Sequence, residues 1–274
     1  MLSDQRRTQL LELVRRQGFA PLPELARTLD VSESTVRRDL AHLEREGAAR
    51  RTHGGVFYTG PSPKLPHFDL RQSSQWDKKR AIAQKALELI ADHDAVLIDG
   101  GSTAYEVARL LVGRTLQVVT NSLPVATLFN SSPGVDLIMI GGYVHPRSST
   151  TQGPQAEQMF RSLNVRRAII SAAGVNERGL FNTNLLTAAA QRAMIDAAEE
   201  VVAVIDSTKF GHQNLALVCE LAEIDRMVVD DELSTEWRDK LAAAGVDVII
   251  APPVVDAANT SSDTPQNAAV VATN

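Results

Sequence analysis

Cysteine is almost absent from this 274-residue chain, where Cys219 stands alone. One thiol excludes an internal disulfide and any zinc site built on several thiolates. It suits a reducing compartment, so a cytoplasmic location is expected. Long apolar runs are missing too: the longest, such as V-V-A-V-I from Val201, fall far short of the roughly 20 residues a spanning helix needs, and no membrane role is expected. The opening M-L-S-D-Q-R-R brings acid and base early, with no uninterrupted apolar block behind it, so a secretory signal is not expected either. Positive charge is also short overall, at a formal net of −5. Its distribution is uneven, however. Residues 1–58 hold ten Lys and Arg against eight Asp and Glu, a net of +2, which leaves −7 for the remainder. Only the N-terminal stretch therefore favours a polyanion.

What is present is ordinary for a globular protein, with 44% apolar and 22% charged residues. The length exceeds the usual single domain, so one small and one larger domain are expected. Leu10, Leu13 and Val14 recur at helical spacing behind Ser3, a good N-cap, and stop at Gly18. Pro23 opens a short second helix carrying Leu25, Ala26 and Leu29, and Asp30-Val31-Ser32 turns into a third, from about Glu33 to Glu46. Ala48 to Tyr58, with Gly54-Gly55 between β-prone pieces, suits a two-stranded wing. Three prolines between Gly60 and Pro66 mark a stiff linker. Beyond Lys78, aliphatic runs near 95–99, 116–120, 135–140, 168–171, 201–206 and 226–230 alternate with helical stretches, the pattern of a largely parallel sheet covered on both faces. The expected division is a winged helix-turn-helix over 1–58, a linker over 59–77, a larger α/β domain over 78–252 and a disordered tail over 253–274.

On a helical wheel the third helix puts Val36, Leu40 and Leu43 on one face and Ser34, Arg38, Ala41 and Arg45 on the other, with Thr35 and Arg37 flanking. Arginine can grip guanine edges bidentately or pair with phosphate, and small hydroxyl residues can bond phosphate oxygens without bulk. Arg50, Arg51 and His53 on the wing would hold the neighbouring backbone. The wheel alone does not separate a DNA-reading helix from an amphipathic helix with a solvated face.

In the larger part, the first aliphatic strand runs into Asp99-Gly100-Gly101-Ser102-Thr103 and then a helix. Paired glycines allow close backbone approach, and free amides with two hydroxyls at a helix start can cradle an anion. The same string also serves as an ordinary capped turn. Thr120-Asn121-Ser122, Gly141-Gly142, Gly174 and Asp206 to Gly211 follow later strands. Ligands of open α/β sheets gather at the carboxyl ends of strands, so these loops can converge on one crevice, to which Lys209 would bring positive charge.

The string V-S-E-S-T-V-R-R-D-L-A-H-L-E-R-E-G, followed by H-G-G-V, together with D-G-G-S-T, T-N-S, G-G and D-S-T-K-F-G, resembles the DeoR family of bacterial sugar-metabolism repressors from about Ser3 to Ala251. The resemblance implies that Ser32, Glu33, Ser34, Thr35, Arg37 and Arg38 lie on or at the start of a recognition helix for double-stranded operator DNA. It also implies a sensor similar in fold to ribose-5-phosphate isomerase and CoA-transferase-like proteins, which binds a phosphorylated sugar. Lys79, from the K-R-A-I-A string, then joins Asp99 to Thr103, Thr120 to Ser122, Gly141, Gly142 and Lys209 in the effector site. One departure stands out: where the family commonly places a Glu and then a Lys four residues on, this chain has Thr187 and Gln191, with Arg192 retained. The expected protein is thus a homo-oligomeric repressor, dimer or tetramer, without cofactor or metal. Two other readings compete. An isomerase-like enzyme fused to a DNA-targeting head would need a general base, for which Asp99 is the obvious strand-end candidate; an interaction module would have a head that no longer touches DNA.

Overall fold

The computed structural model describes residues 3–17, 19–45, 49–51, 55–58 and 68–254. The N-terminal domain is a winged helix-turn-helix, built from α1 (Ser3–Gln17), β1 (Phe19–Pro21), α2 (Leu22–Thr28), α3 (Glu33–Arg45), β2 (Ala49–Arg51) and β3 (Gly55–Tyr58). The three helices begin and end within about a residue of their expected limits, because each carries an apolar period between good start and stop residues. Leu10 and Val14 of α1, Leu25 of α2, Val36, Leu40 and Leu43 of α3, and Val56 of the wing form one small core. The wing is wider than expected. Its hairpin β2–β3 gains a third strand, since β1 pairs antiparallel with β3 and puts Phe19 opposite Phe57. A partly buried ion pair adds to the core: Arg6 on α1 grips Asp39 on α3, Nε to Oδ2 at 2.6 Å.

The larger part continues with α4 (Phe68–Ser73), α5 (Trp76–Ala86), β4 (Ala95–Ile98), α6 (Ser102–Leu111), β5 (Leu116–Thr120), α7 (Leu123–Phe129), β6 (Val135–Met139), the hairpin of β7 (Tyr143–His145) and β8 (Thr150–Gln152), and α8 (Pro154–Arg161). It ends with β9 (Val165–Ile170), β10 (Gly174–Asn176), β11 (Gly179–Asn182), α9 (Leu185–Asp196), β12 (Ala198–Val204), β13 (Ala216–Glu220), β14 (Arg226–Asp230), α10 (Thr235–Ala243) and β15 (Asp247–Ala251). Helix α4 and the start of α5 occupy the second half of the stretch read from the sequence as linker. The first half of that stretch and the tail from residue 255 lie outside the described residues.

Seven strands form an all-parallel sheet in the order β15-β14-β12-β9-β4-β5-β6. The central strands are buried on both faces, so they read as continuous aliphatic runs rather than alternating ones. Val96 and Ile98 of β4 face a layer containing α5, α6 and α7. Leu97, between them, faces the opposite layer with α8, α9 and α10. The chain leaves β4 towards β5 and β6 and returns on the other side as β9. This reversal opens a crevice between the carboxyl ends of β4 and β9, where ligands of such sheets bind.

Candidate functional site

Two surfaces carry the functional residues. On α3, Val36 and Leu40 are fully buried, while Ser34, Arg37 and Arg38 are exposed and Thr35 is half-buried. Helical spacing dictates this split. Ser32 accepts from the Thr35 amide at 3.3 Å and shares hydrogen bonds with the Ser34 and Thr35 hydroxyls at 2.8 and 3.0 Å, so it caps the helix and sets the rotamers at its start. Arg37 leans back on Glu33, Nη2 to Oε2 at 3.4 Å, one turn earlier. Arg38 has no hydrogen bond or ion pair among the described residues and projects a free guanidinium. Arg50 and Arg51 lie on β2, and His53 falls outside the described residues.

The second surface is a cavity of about 290 Å³ at the carboxyl ends of the central strands. Its floor is Asp99, which is buried at the end of β4. Asp99 Oδ2 accepts from the Ser171 amide at 3.1 Å, the Ser171 hydroxyl at 2.6 Å and Gln191 Nε2 at 3.0 Å. Gln191, fully buried on α9, also donates to the Ser171 carbonyl and accepts from Asn182 Nδ2. Gly100, Gly101, Ser102 and Thr103 lead into α6 beside this network, where the first amides of the helix have no intrahelical partner. Gly101 is extended, with φ −75°, so glycine is required there for space and not for conformation. A Cβ at Gly101 would fall 1.6 Å from the Ser171 hydroxyl and 2.6 Å from its Cβ. Gly101→Ala is therefore expected to push Ser171 off Asp99 and cost about 1–3 kcal/mol, read by chemical denaturation.

Charge in the lining is mixed and slightly positive. Arg71, Lys79 and Lys209 face Asp99 and Asp206 across the cavity. Lys79 is buried, and its ammonium donates to the carbonyls of Arg71 and Ser74. Burial pushes that ammonium down to about 8, helped by Lys209 and Arg71 and opposed by Asp206. Asp206 accepts from the amide and hydroxyl of Thr208 and so shapes the turn that presents Lys209. Asn121 donates to the Thr151 carbonyl at 2.7 Å, while its buried Oδ1 has no partner. One acceptor is left for a ligand hydroxyl.

Of the residues expected in an effector site, the geometry gathers Lys79, Asp99, Gly100, Gly101, Ser102, Thr103, Asn121 and Lys209 around the cavity. Thr120, Ser122, Gly141 and Gly142 are not part of its wall. The Thr120 hydroxyl bonds the Ile98 carbonyl and the Ser122 amide, and Ser122 caps α7. Gly141 and Gly142 are exposed beyond β6, the sheet's edge strand. Thr187 and Gln191 both line the cavity, whereas Arg192 turns away to Asp196 and Glu223. Sequence reading missed Arg71, Ser148, Thr150, Ser171 and Asn182. Ser171 was within reach, since it directly follows an aliphatic strand. The others sit on a short helix, a hairpin and its turn, and the end of an antiparallel strand, which carry no period.

A family model described as the DeoR-like helix-turn-helix domain matches residues 6–60, and one described as the DeoR C terminal sensor domain matches residues 74–231. A putative aga operon transcriptional repressor of Escherichia coli O157:H7 is 32% identical, covering 90% of this chain and 94% of its own. The HTH-type transcriptional regulator GolR of Listeria innocua is 30% identical, over 92% and 100% respectively. UlaR of Escherichia coli O1:K1 is 29% identical, over 91% and 99%. Among solved structures, a ribose 5-phosphate isomerase of Methanocaldococcus jannaschii aligns with 50% of this chain and 55% of its own at 20% identity, with a TM-score of 0.37, too low to bear on function. The full-length relatives are named as regulators of transcription, and that reading displaces the isomerase. On the match of both models and on relatives spanning nearly its whole length, this chain belongs to the DeoR family of DNA-binding transcriptional regulators.

Proposed function

We propose that the protein represses a carbohydrate catabolic operon and is controlled by a phosphorylated sugar held in the cavity at the ends of β4 and β9. The observation that carries this reading is the composition of the cavity wall. Three cations against two carboxylates suit an anionic group, and the orphaned Asn121 oxygen, with the hydroxyls of Ser148, Thr150 and Thr183, suits a polyol. A volume of about 290 Å³ matches a small sugar ester rather than a dinucleotide. The relative named as a putative aga operon transcriptional repressor supports control of an operon, and GolR and UlaR, named as HTH-type transcriptional regulators, support control of transcription. Thr187 and Gln191 are neutral where the family resemblance implies a Glu and a Lys, so this chain either takes a different effector from members with the charged pair or senses the same one more weakly. The working division is a DNA-binding head over 1–58, a connector over 59–77 and a sensor over 78–252. Arg38, Arg37, Ser34 and Thr35 read the operator, and the wing, with Arg50, Arg51 and His53, holds the flanking backbone. A homo-oligomer sets two heads on repeated half-sites, and the protein acts in the cytoplasm, where chromosomal DNA lies.

A thermal-shift panel of pentose and hexose phosphates, with the unphosphorylated sugars as controls, tests the effector class. A selective phosphorylated ligand at 100 times its Kd is expected to stabilise the protein by about 2.7 kcal/mol. The same compound should change the affinity for a fluorescent operator fragment. Equal stabilisation by phosphorylated and free sugars, or stabilisation by neither, would overturn the reading.

A further inference from the structure

Among the described residues, Arg71 has two buried side-chain donors without a partner. Its guanidinium stacks on Phe68 at 5.5 Å to the ring centroid, and Phe68 in turn packs edge-on against Tyr105 of α6 at 5.2 Å. Nε and Nη2 are buried without a hydrogen-bond partner, in a residue that lines the cavity. A buried charge with unsatisfied donors is costly. Burial indeed pushes this guanidinium below its usual value, with Asp99 pulling the other way without touching it. The neighbouring cation differs. Lys79 spends two of its three donors on the carbonyls of Arg71 and Ser74, and so ties the end of α4 to α5. The helix that carries Arg71 is thus held at its base by Lys79, while its own charged tip is unpaired. Arginine's fixed fork matches two oxygens of a phosphate or carboxylate.

Helix α4 also has a particular place in the chain. Only residues 59–67 separate Phe68 from Tyr58, the last residue of the wing strand β3. Whatever fixes α4 fixes the point at which the chain from the DNA-binding head enters the sensor.

We propose that Arg71 is an effector-gripping residue, whose unpaired guanidinium turns into the cavity to take oxygens of the ligand's anionic group, so that occupancy of the cavity locks α4. This rests on the effector reading above and adds to it the residue and the element that transmit occupancy. The two orphaned donors give α4 an unmet demand that an anion in the cavity satisfies. Coupling is then reciprocal, because a ligand that favours one position of α4 gains from any DNA-bound arrangement that shares it.

The test uses the full-length protein with inorganic phosphate, ribose 5-phosphate and glucose 6-phosphate as probes. Thermal shift reads binding, and hydrogen exchange reads the amides of residues 68–73. At least one phosphorylated probe is expected to raise the wild-type Tm and to slow exchange over 68–73. Arg71→Gln should weaken that probe about 10- to 100-fold and abolish the protection, and Arg71→Lys should fall between. Without ligand, Arg71→Gln should hold or raise Tm, because it removes an unpaired buried charge. A fall in apo Tm would mark a structural arginine and overturn the proposal. Undiminished binding by Arg71→Gln, or binding without protection of 68–73, would overturn it while leaving the effector reading intact. If no phosphorylated probe stabilises wild type, the effector reading fails and the grip fails with it.

Discussion

Arg38→Ala is expected to weaken binding to operator DNA by about 10- to 100-fold, equivalent to about 1–3 kcal/mol. The expectation follows from how α3 is partitioned. Its aliphatic face is consumed by the small core of the head, with Val36 and Leu40 fully buried and Leu43 nearly so. The ion pair of Arg6 with Asp39 ties the helix to α1 by a second, charged contact. What remains outward is Ser34, Arg37, Arg38 and the half-buried Thr35. Arg37 is engaged with Glu33, but that pair is exposed and contributes little, on the order of a few tenths of a kcal/mol. Arg38 has no such partner among the described residues, so no described residue competes with DNA for it. Fluorescence anisotropy against salt distinguishes the two ways in which Arg38 can meet the duplex. If it pairs with a phosphate, the substitution lowers the slope of log K on log salt by about 1 and weakens all sequences alike; if it grips a base edge, the substitution relaxes specificity at one position and the slope is kept. Effector affinity of the variant should be unchanged. Wild-type affinity in Arg38→Ala would show that the outward face of α3 does not enter the duplex.

The same partition explains how much of the fold is legible in the residues alone. The head's helices are legible because period, N-caps and glycine stops agree at their boundaries. The parallel strands are legible because double-sided burial leaves unbroken aliphatic runs such as A-V-L-I and V-V-A-V-I. Three-residue strands are not. Phe19–Pro21 is too short to show alternation, and its place beside β3 is set by tertiary pairing. The hairpins β7–β8 and β10–β11 carry glycines and polar residues without period, and sequence reading does not find them. It also misses β15, although Asp247–Ala251 contains an aliphatic run of the legible kind.

The site follows the same logic. Strand-end reasoning reaches Asp99, Asn121 and Lys209, because the sheet itself brings carboxyl ends together. It overreaches at Thr120 and Ser122, whose side chains are used up within their own turn, and at Gly141 and Gly142, beyond the edge of the sheet. It misses Arg71 entirely. Three prolines mark that neighbourhood as connector, and no local pattern distinguishes a linker arginine from one folded back over a cavity.

Asp99 offers the sharpest separation of hydrogen bonding from charge. One oxygen, Oδ2, accepts all three bonds from Ser171 and Gln191. Asp99→Ala strips all three of these donors of their acceptor; the Ser171 hydroxyl can rotate away, but the Ser171 amide and one Gln191 donor stay unpaired in a buried site, at about 1–2 kcal/mol for each. The sensor is expected to lose about 2–4 kcal/mol, and its Tm roughly 5–15 °C for a part of this size. Asp99→Asn is expected to behave differently. A carboxamide oxygen can occupy the position of Oδ2 and keep every bond, so most of the stability should survive. The charge does not survive, and the cavity wall then sets Arg71, Lys79 and Lys209 against Asp206 alone. Affinity for an anionic ligand should therefore hold or rise in Asp99→Asn while it collapses in Asp99→Ala, where the floor is displaced. Denaturation and ligand titration of the two variants side by side measure both quantities. An asparagine variant as unstable as the alanine one would mean that the site depends on the negative charge itself, held between the flanking cations, and not on the acceptor that organises Ser171 and Gln191.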